Sequence, residues 1–150
     1  MTEFDPTTFM NQTMNQALDT VFLPCPPGEY MAVATKTQVL PWAKGDGSSS
    51  GLKLQINWEI QDDKAKATTG RDPLTVRQDQ MLDLTDNGAL NLAKGRNIGL
   101  GRIREALGLN KEGKDFSLAM LEGQVAKVVV SHRPGKDGAI FDEIKAITKV

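Results

Sequence analysis

The sequence is short of the residues that carry most enzyme and metal chemistry. It holds one Cys and one His in 150 residues. A single Cys excludes an internal disulfide framework and a Cys-based zinc site, each of which needs several. Aromatic residues make up only 5% of the chain, so any stacking surface rests on very few planes. Neither sign of charge is in excess. There are 18 Lys and Arg against 19 Asp and Glu, for a formal net charge of −1, which excludes the strongly basic type of nucleic-acid binder. No apolar run approaches the ~18 residues of a membrane helix. Residues 1–6 lack the basic and apolar regions of a signal peptide. These absences point to a soluble cytoplasmic protein with no membrane partner.

The charge that is present is unevenly placed. Residues 1–30 contain Glu3, Asp5, Asp19 and Glu29 and no Lys or Arg, a charge of −4. Residues 31–150 carry 18 basic and 15 acidic side chains, a charge of +3. An acidic amino-terminal segment on a mildly basic body can compete with an anionic ligand for that body.

The order of elements follows from periodicity and breakers. Asp5-Pro6 reads as a helix start, with Asp as cap and Pro at the first helical position. Phe9, Met10, Met14, Ala17 and Leu18 continue at mostly helical spacing, predicting a short amphipathic helix or docking arm over residues 6–18. Pro24, Pro26 and Pro27 then stop regular structure. They set the boundary between an arm with a Pro-rich linker, residues 1–27, and a body, residues 28–150.

Glu29 to Leu40 reads as the first strand of the body, with Met31, Val33 and Val39 on one face and Tyr30, Ala32 and Ala34 on the other. Lys44 to Gly51 is a flexible loop by composition. Leu52, Leu54, Ile56, Trp58 and Ile60 alternate without exception with polar residues, the pattern of a half-buried antiparallel strand with Trp58 in the core. Residues 62–74 read as a polar loop, and about 74–84 as a third strand. Residues 98–107 read as a helix with an apolar stripe of Ile98, Ile103, Ala106 and Leu107, with Arg102, Arg104 and Glu105 outside the stripe and Gly108 ending it. A further helical turn falls near residues 116–121. Val125 to His132 is strongly β-branched, Arg133 to Gly138 turns with an Asp-Gly hairpin signal, and Ala139 to Val150 forms the last strand. Three strands, a helix and two strands is the connectivity of the OB-fold, a partly open five-stranded Greek-key barrel. The expected fold is therefore mainly β, an OB-like barrel with one or two helices behind an amino-terminal arm.

Catalytic signatures do not assemble. Gly47 to Lys53 lacks the spacing and the Gly-Lys-Ser/Thr ending of a phosphate loop. Gly95 to Gly101 lacks the third glycine of a dinucleotide turn. Ser131-His132 pairs a nucleophile with a base, but no third group is indicated. Asp62-Asp63, Asp83 and Asp86 lack EF-hand spacing. The expectation is a non-enzyme with no metal and no cofactor.

A binding surface is better supported. OB-folds bind oligonucleotides on the face of strands two and three and through the loops joining strands one to two and four to five. Trp42 and Lys44 open the first of those loops. Lys53, Gln55 and Asn57 form the polar face of strand two, and Arg77 lies on strand three. His132, Arg133 and Lys136 form the last hairpin loop, with Phe141 just beyond it. Cations neutralise phosphate, and each stacked base contributes about 1–3 kcal/mol.

Several segments resemble one family. Leu23-Pro-Cys-Pro-Pro-Gly-Glu-Tyr-Met-Ala-Val33 resembles the opening of small tailed-bacteriophage early proteins. Asn97-Ile-Gly-Leu-Gly-Arg-Ile-Arg-Glu-Ala-Leu-Gly-Leu109 is similar to their helix before the fourth strand, and Asp142-Glu-Ile-Lys-Ala-Ile147 to their closing strand. Phe4-Asp-Pro-Thr-Thr-Phe-Met10 is similar to their amino-terminal arm. The resemblance implies an OB-like, phage-encoded single-stranded-DNA-binding protein acting in replication or recombination in the host cytoplasm. The site residues come from the strand-face argument and not from the resemblance. The rival expectation is a phage protein-interaction or virion component that self-associates, or docks on other phage proteins, through residues 1–22, with Phe4, Phe9, Met10 and Met14 as anchors.

Overall fold

The alternation from Leu52 to Ile60 builds the centre of the structure. The computed structural model describes residues 4–150, and Glu3, one of the acids counted above, lies outside them. Strand β2 spans Ser50–Ile60, and its Leu54, Ile56, Trp58 and Ile60 are fully buried. Trp58 is a core residue, as its parity predicts, and its indole N–H donates to Gln78 Oε1 at 2.9 Å. β2 pairs antiparallel with β1, Gly28–Ala43, on one side and with β3, Thr75–Met81, on the other.

β1 is long because it serves two partners. Ala32–Ala43 pairs with β2, and Gly28–Val33 pairs with β4, Val125–Pro134. β5, Ile140–Thr148, completes the sheet against β4. The order is β3-β2-β1-β4-β5, with every neighbouring pair antiparallel. The β1–β2 register slips between Ala34 and Lys36, leaving Thr35 as an extra residue. One extra residue reverses the side of every later side chain. Ala32 and Ala34 are buried on the core face before the slip, whereas Thr37 and Val39 oppose the core residues Ile56 and Leu54 after it. Val39 therefore lies on the opposite face from Met31 and Val33, contrary to the simple alternation expected above.

β3 and β5 are each two antiparallel steps from β1, so both edge strands run in the same direction. They come within 8 Å of one another by Cα distance, yet no ladder joins them. The architecture is thus one open five-stranded antiparallel sheet with few helices. Its core face carries Ala126, Val128 and Val130 of β4 together with the β2 residues.

The helices follow local chemistry. α1 is only Pro6–Met10, with Asp5 Oδ1 accepting the Thr7 N–H at 3.0 Å as its cap. The start is as expected, but the helix does not continue to residue 18. A short isolated helix is marginal without a face to pack, and Phe9, Met10, Met14 and Leu18 are all exposed. α2, Asp63–Thr69, replaces the polar loop expected over residues 62–74. Asp62 Oδ2 accepts the Ala65 N–H at 2.9 Å, Gly70 ends the helix in the left-handed region at φ 69°, and Ala65 and Thr69 are buried. α3, Ile98–Ala106, buries Leu100 and Ile103 beneath the sheet. A short 3-10 turn over Leu118–Leu121 buries Leu121.

The Pro-rich linker is strapped to the sheet. Arg71 Nη1 donates to Leu23 O at 3.1 Å, and the Tyr30 hydroxyl donates to Pro26 O at 2.7 Å. The Cys25 N–H donates to Asp142 Oδ2 at 2.8 Å. His132 Nε2 lies 2.7 Å from Cys25 O. A carbonyl can only accept, so this His nitrogen carries a proton.

Candidate nucleic-acid interface

The face of β1–β2–β3 opposite the core is a polar surface set by register. Lys36, Gln38, Leu40 and Trp42 of β1 stand beside Asn57, Gln55, Lys53 and Gly51 of β2, and Arg77, Asp79 and Met81 of β3 continue the rows. Four expected site residues, Lys53, Gln55, Asn57 and Arg77, therefore share one surface with Trp42. Their side chains are already engaged with one another. Gln38 Nε2 donates to Gln55 Oε1 at 2.8 Å, and Gln55 Nε2 donates to Asp79 Oδ1 at 3.2 Å. Lys53 reaches Asp79 at 3.3 Å and Arg77 reaches it at 3.5 Å. Gln55 is 8% exposed, so its amide organises the row rather than projecting from it. One carboxylate thus balances two cations on this face.

Trp42 is half-buried, and its indole packs against Gly51, its cross-strand partner. A Cβ on Gly51 would stand 3.0 Å from the indole nitrogen and 3.1 Å from Cε2. The glycine is the space in which the ring rests. The indole nitrogen is enclosed and finds no hydrogen-bond partner among the described residues. Lys44 is exposed in the adjoining turn, where its N–H donates to Ser49 O at 2.9 Å.

At the β4–β5 turn, Arg133, Lys136 and Phe141 are exposed. The Arg133 guanidinium sits 5.2 Å from the centroid of Phe141, its cross-strand partner, and 3.5 Å from Glu143. Gly135 lies directly against the Phe141 ring and leaves no room for a Cβ there. The His132 ring, also at this turn, meets the linker carbonyl of Cys25.

The open seam gathers part of the expected site. A groove of about 930 Å³ runs between the edges of β3 and β5, with α3 closing one side. Arg77, Arg133 and Phe141 all line it. Arg102 of α3 and Lys145 of β5 line it too and were not singled out from the sequence. Arg102 reads there only as a residue outside the apolar stripe of a helix. Nothing in the stripe says that the helix turns this side toward a sheet edge. Trp42, Lys44, Lys53, Gln55, Asn57 and Lys136 do not line the groove. The interface has two parts, a β1–β2–β3 face and a β3–β5 groove, and Arg77 belongs to both.

The one thiol and the one imidazole of the chain come together with Asp142, but not as a catalytic set. The imidazole meets the Cys25 carbonyl and not its sulfur. Burial, with the nearby Asp142 charge, pushes the Cys25 thiol up to about 11, which opposes thiolate formation. Two of the four acids set aside as calcium candidates have structural partners. Asp62 caps α2, and Asp83 pairs through both backbone and side chain with Asn97. Among the described residues no three His, Cys, Asp or Glu side chains are grouped to hold a metal. No helix among them is long and apolar enough to cross a membrane.

Fold and surface together define a small protein built on one antiparallel β-sheet, with a polar, cation-bearing face and a groove at its open seam. No protein-family model matches the chain, and no curated protein is significantly similar to it.

Proposed function

We propose that this chain is a sequence-tolerant single-stranded-DNA-binding protein with an OB-like barrel, encoded by a bacteriophage and acting in DNA replication or recombination in the host cytoplasm. The observation that carries the reading is the convergence of Arg77, Arg102, Arg133 and Phe141 on one groove continuous with the Lys53–Gln55–Asn57 face. Cations beside aromatic planes are what an extended, unpaired strand needs, because phosphates are neutralised while bases stack. The barrel reading is supported by the strand order, the helix between β3 and β4, and two edge strands that run the same way within 8 Å. The phage origin rests on the resemblance of the linker, helix and closing-strand segments.

Fluorescence anisotropy of a labelled oligothymidylate of roughly 30 nucleotides, about the span of a few OB sites, tests the proposal. Binding that weakens steadily with salt is expected. Absent or salt-independent binding refutes it. A second reading, a protein-interaction or virion component that docks through its arm, is favoured by one observation. Phe4, Phe9, Met10, Met14, Leu18, Val21 and Phe22 are all more than 60% exposed, a concentration of exposed apolar side chains in one segment of the kind that marks interaction sites.

A further inference from the structure

We propose that two copies of this chain pair through their arms, residues 11–22 of each docking in the β3–β5 groove of the other, and that nucleic acid separates the pair by taking the groove. The inference rests on the nucleic-acid reading of the groove only for the ligand that displaces the arms.

Within one copy the arm has no surface of its own to cover it. None of residues 4–22 lines the groove, and no hydrogen bond or ion pair joins them to the body among the described residues. Met10, Met14, Leu18, Val21 and Phe22 are each more than 70% exposed. The point of departure is nevertheless fixed. Arg71 holds Leu23 O with one guanidinium nitrogen, and with the other donates to Thr75 O at 2.9 Å. The same guanidinium meets Asp142 at 3.4 Å. Thr75 and Asp142 both line the groove, so the arm leaves at the mouth of a groove that it does not enter. Two copies set mouth to mouth about a two-fold axis give each arm a direct course into the other's groove, and a contact of that symmetry closes at two copies.

Charge selects a second copy as the occupant. Residues 4–22 carry Asp5 and Asp19 and no cation. The groove's carboxylates are already paired, Asp79 with Lys53 and Arg77, Asp142 with Arg71, and Glu143 with Arg133. Arg102 and Lys145 line the groove without a carboxylate within 4.0 Å among the described residues. An acidic segment therefore meets a groove whose uncommitted charges are positive. Phe141, Ile144 and Ile147 line the groove too and offer apolar contact to Met14, Leu18 and Val21. Reach is sufficient. Twelve extended residues span roughly 40 Å, against roughly 23 Å for the seven residues of β3, which leaves length for the crossing. Residues 7–23 contain no Pro or Gly, so nothing in the segment forbids an extended course.

Sedimentation velocity of the full chain tests the pairing. A concentration-dependent equilibrium between monomer and dimer is expected, with no larger species and a dimer that weakens as salt rises. The arm-reversed chain, Asn15→Lys with Asp19→Lys, leaves the Asp5 cap in place. The groove-reversed chain is Arg102→Glu with Lys145→Glu. Each alone opposes like charges and is expected to dimerise roughly tenfold more weakly. An equimolar mixture of the two is expected to recover the association, because each arm then meets a groove of opposite charge on the other chain. Leu18→Ser, confined to the exposed arm, is expected to weaken the dimer without touching the body. A chain that stays monomeric up to about 1 mM, the weak end of specific association, overturns the proposal. So does a dimer indifferent to Leu18→Ser, or a mixture that recovers nothing. The roughly 30-nucleotide oligothymidylate is expected to return the dimer to DNA-bound monomers. A charge-dependent dimer with no oligonucleotide binding by anisotropy upholds the exchange of arms and refutes the nucleic-acid reading instead.

Discussion

Asp79 should restrain DNA binding, and its removal should strengthen it. The carboxylate lies 3.3 Å from Lys53 and 3.5 Å from Arg77, so it neutralises part of the face that phosphate would occupy. The groove, taken with the expected site residues, carries seven cations, Lys44, Lys53, Arg77, Arg102, Arg133, Lys136 and Lys145. Two of its carboxylates, Asp79 and Glu143, are already paired with them. The surplus of five gives a slope of log K against log salt of about −3.5, at about −0.7 per phosphate on a single strand. Asp79→Asn raises the surplus to six and the slope to about −4.2. The two lines converge near 1 M salt, so the variant should bind about eightfold more tightly at about 50 mM and about threefold more tightly at about 200 mM. Asparagine keeps an oxygen to accept the Gln55 amide, and each exposed ion pair contributes only about 0–1 kcal/mol, so the fold should survive. Anisotropy titrations across that salt range measure both slopes. Asp63→Asn, a change of equal charge on α2, is the control. An unchanged slope, or weaker binding at an unaltered melting temperature, would refute the electrostatic account of this face.

The other expectations follow from single contacts. Trp42→Ala should weaken oligonucleotide binding by about 1–3 kcal/mol, and Gly51→Val, which takes the space under the ring, should weaken it comparably. A normal affinity in both variants would remove Trp42 from the interface. Trp58→Phe removes the N–H that Gln78 accepts and should cost about 1–3 kcal/mol of stability in urea unfolding, with binding unchanged in the folded fraction. The Cys25 thiol is raised from 9.0 to about 11 by burial and the Asp142 charge. Its contribution to stability is therefore fully present below pH 9 and is lost as pH rises toward about 11, which thermal melts across that window will record. In native protein at pH 8 the same thiol should resist alkylation that proceeds readily in denaturant.

Much of the sheet was legible because burial imposes a period. The β2 alternation identified its strand and placed Trp58 in the core. The β-branched run from Val125 and the Asp-Gly turn located β4 and β5. The helix at Ile98 was visible as an apolar stripe closed by Gly108. Other features escaped because their cause lies outside the local window. The Thr35 bulge changes the side of Val39, and no residue type near it announces the slip. α2 is polar except for Ala65 and Ala67, and its stability comes from the Asp62 cap and the Gly70 stop rather than from a wide hydrophobic face. The arm had helical spacing but no surface to pack against, so the period did not become a helix. The site was legible only in part. Strand parity grouped Lys53, Gln55, Asn57 and Arg77, whereas Arg102 and Lys145 reach the groove only because α3 and β5 flank the open edge. His132 could not be separated by sequence from the cations beside it. Its partner is a carbonyl 107 residues away.

The strap also sets an order of assembly. The Cys25 N–H waits for Asp142, which lies 117 residues further along the chain, and β1 finds one of its two partners only in β4. On a growing chain, β1, β2 and β3 can pair as soon as residue 81 has emerged. The linker contacts of Tyr30 and Arg71 can form early, but those of Cys25 with His132 and Asp142 wait until nearly the whole protein has been made. Contacts of such long sequence separation slow folding. Until they form, the sheet presents two unpaired edges together with a loose apolar arm. A ribosome-stalled chain ending before Asp142 should therefore expose the linker to protease, whereas one extended past Thr148 should protect it.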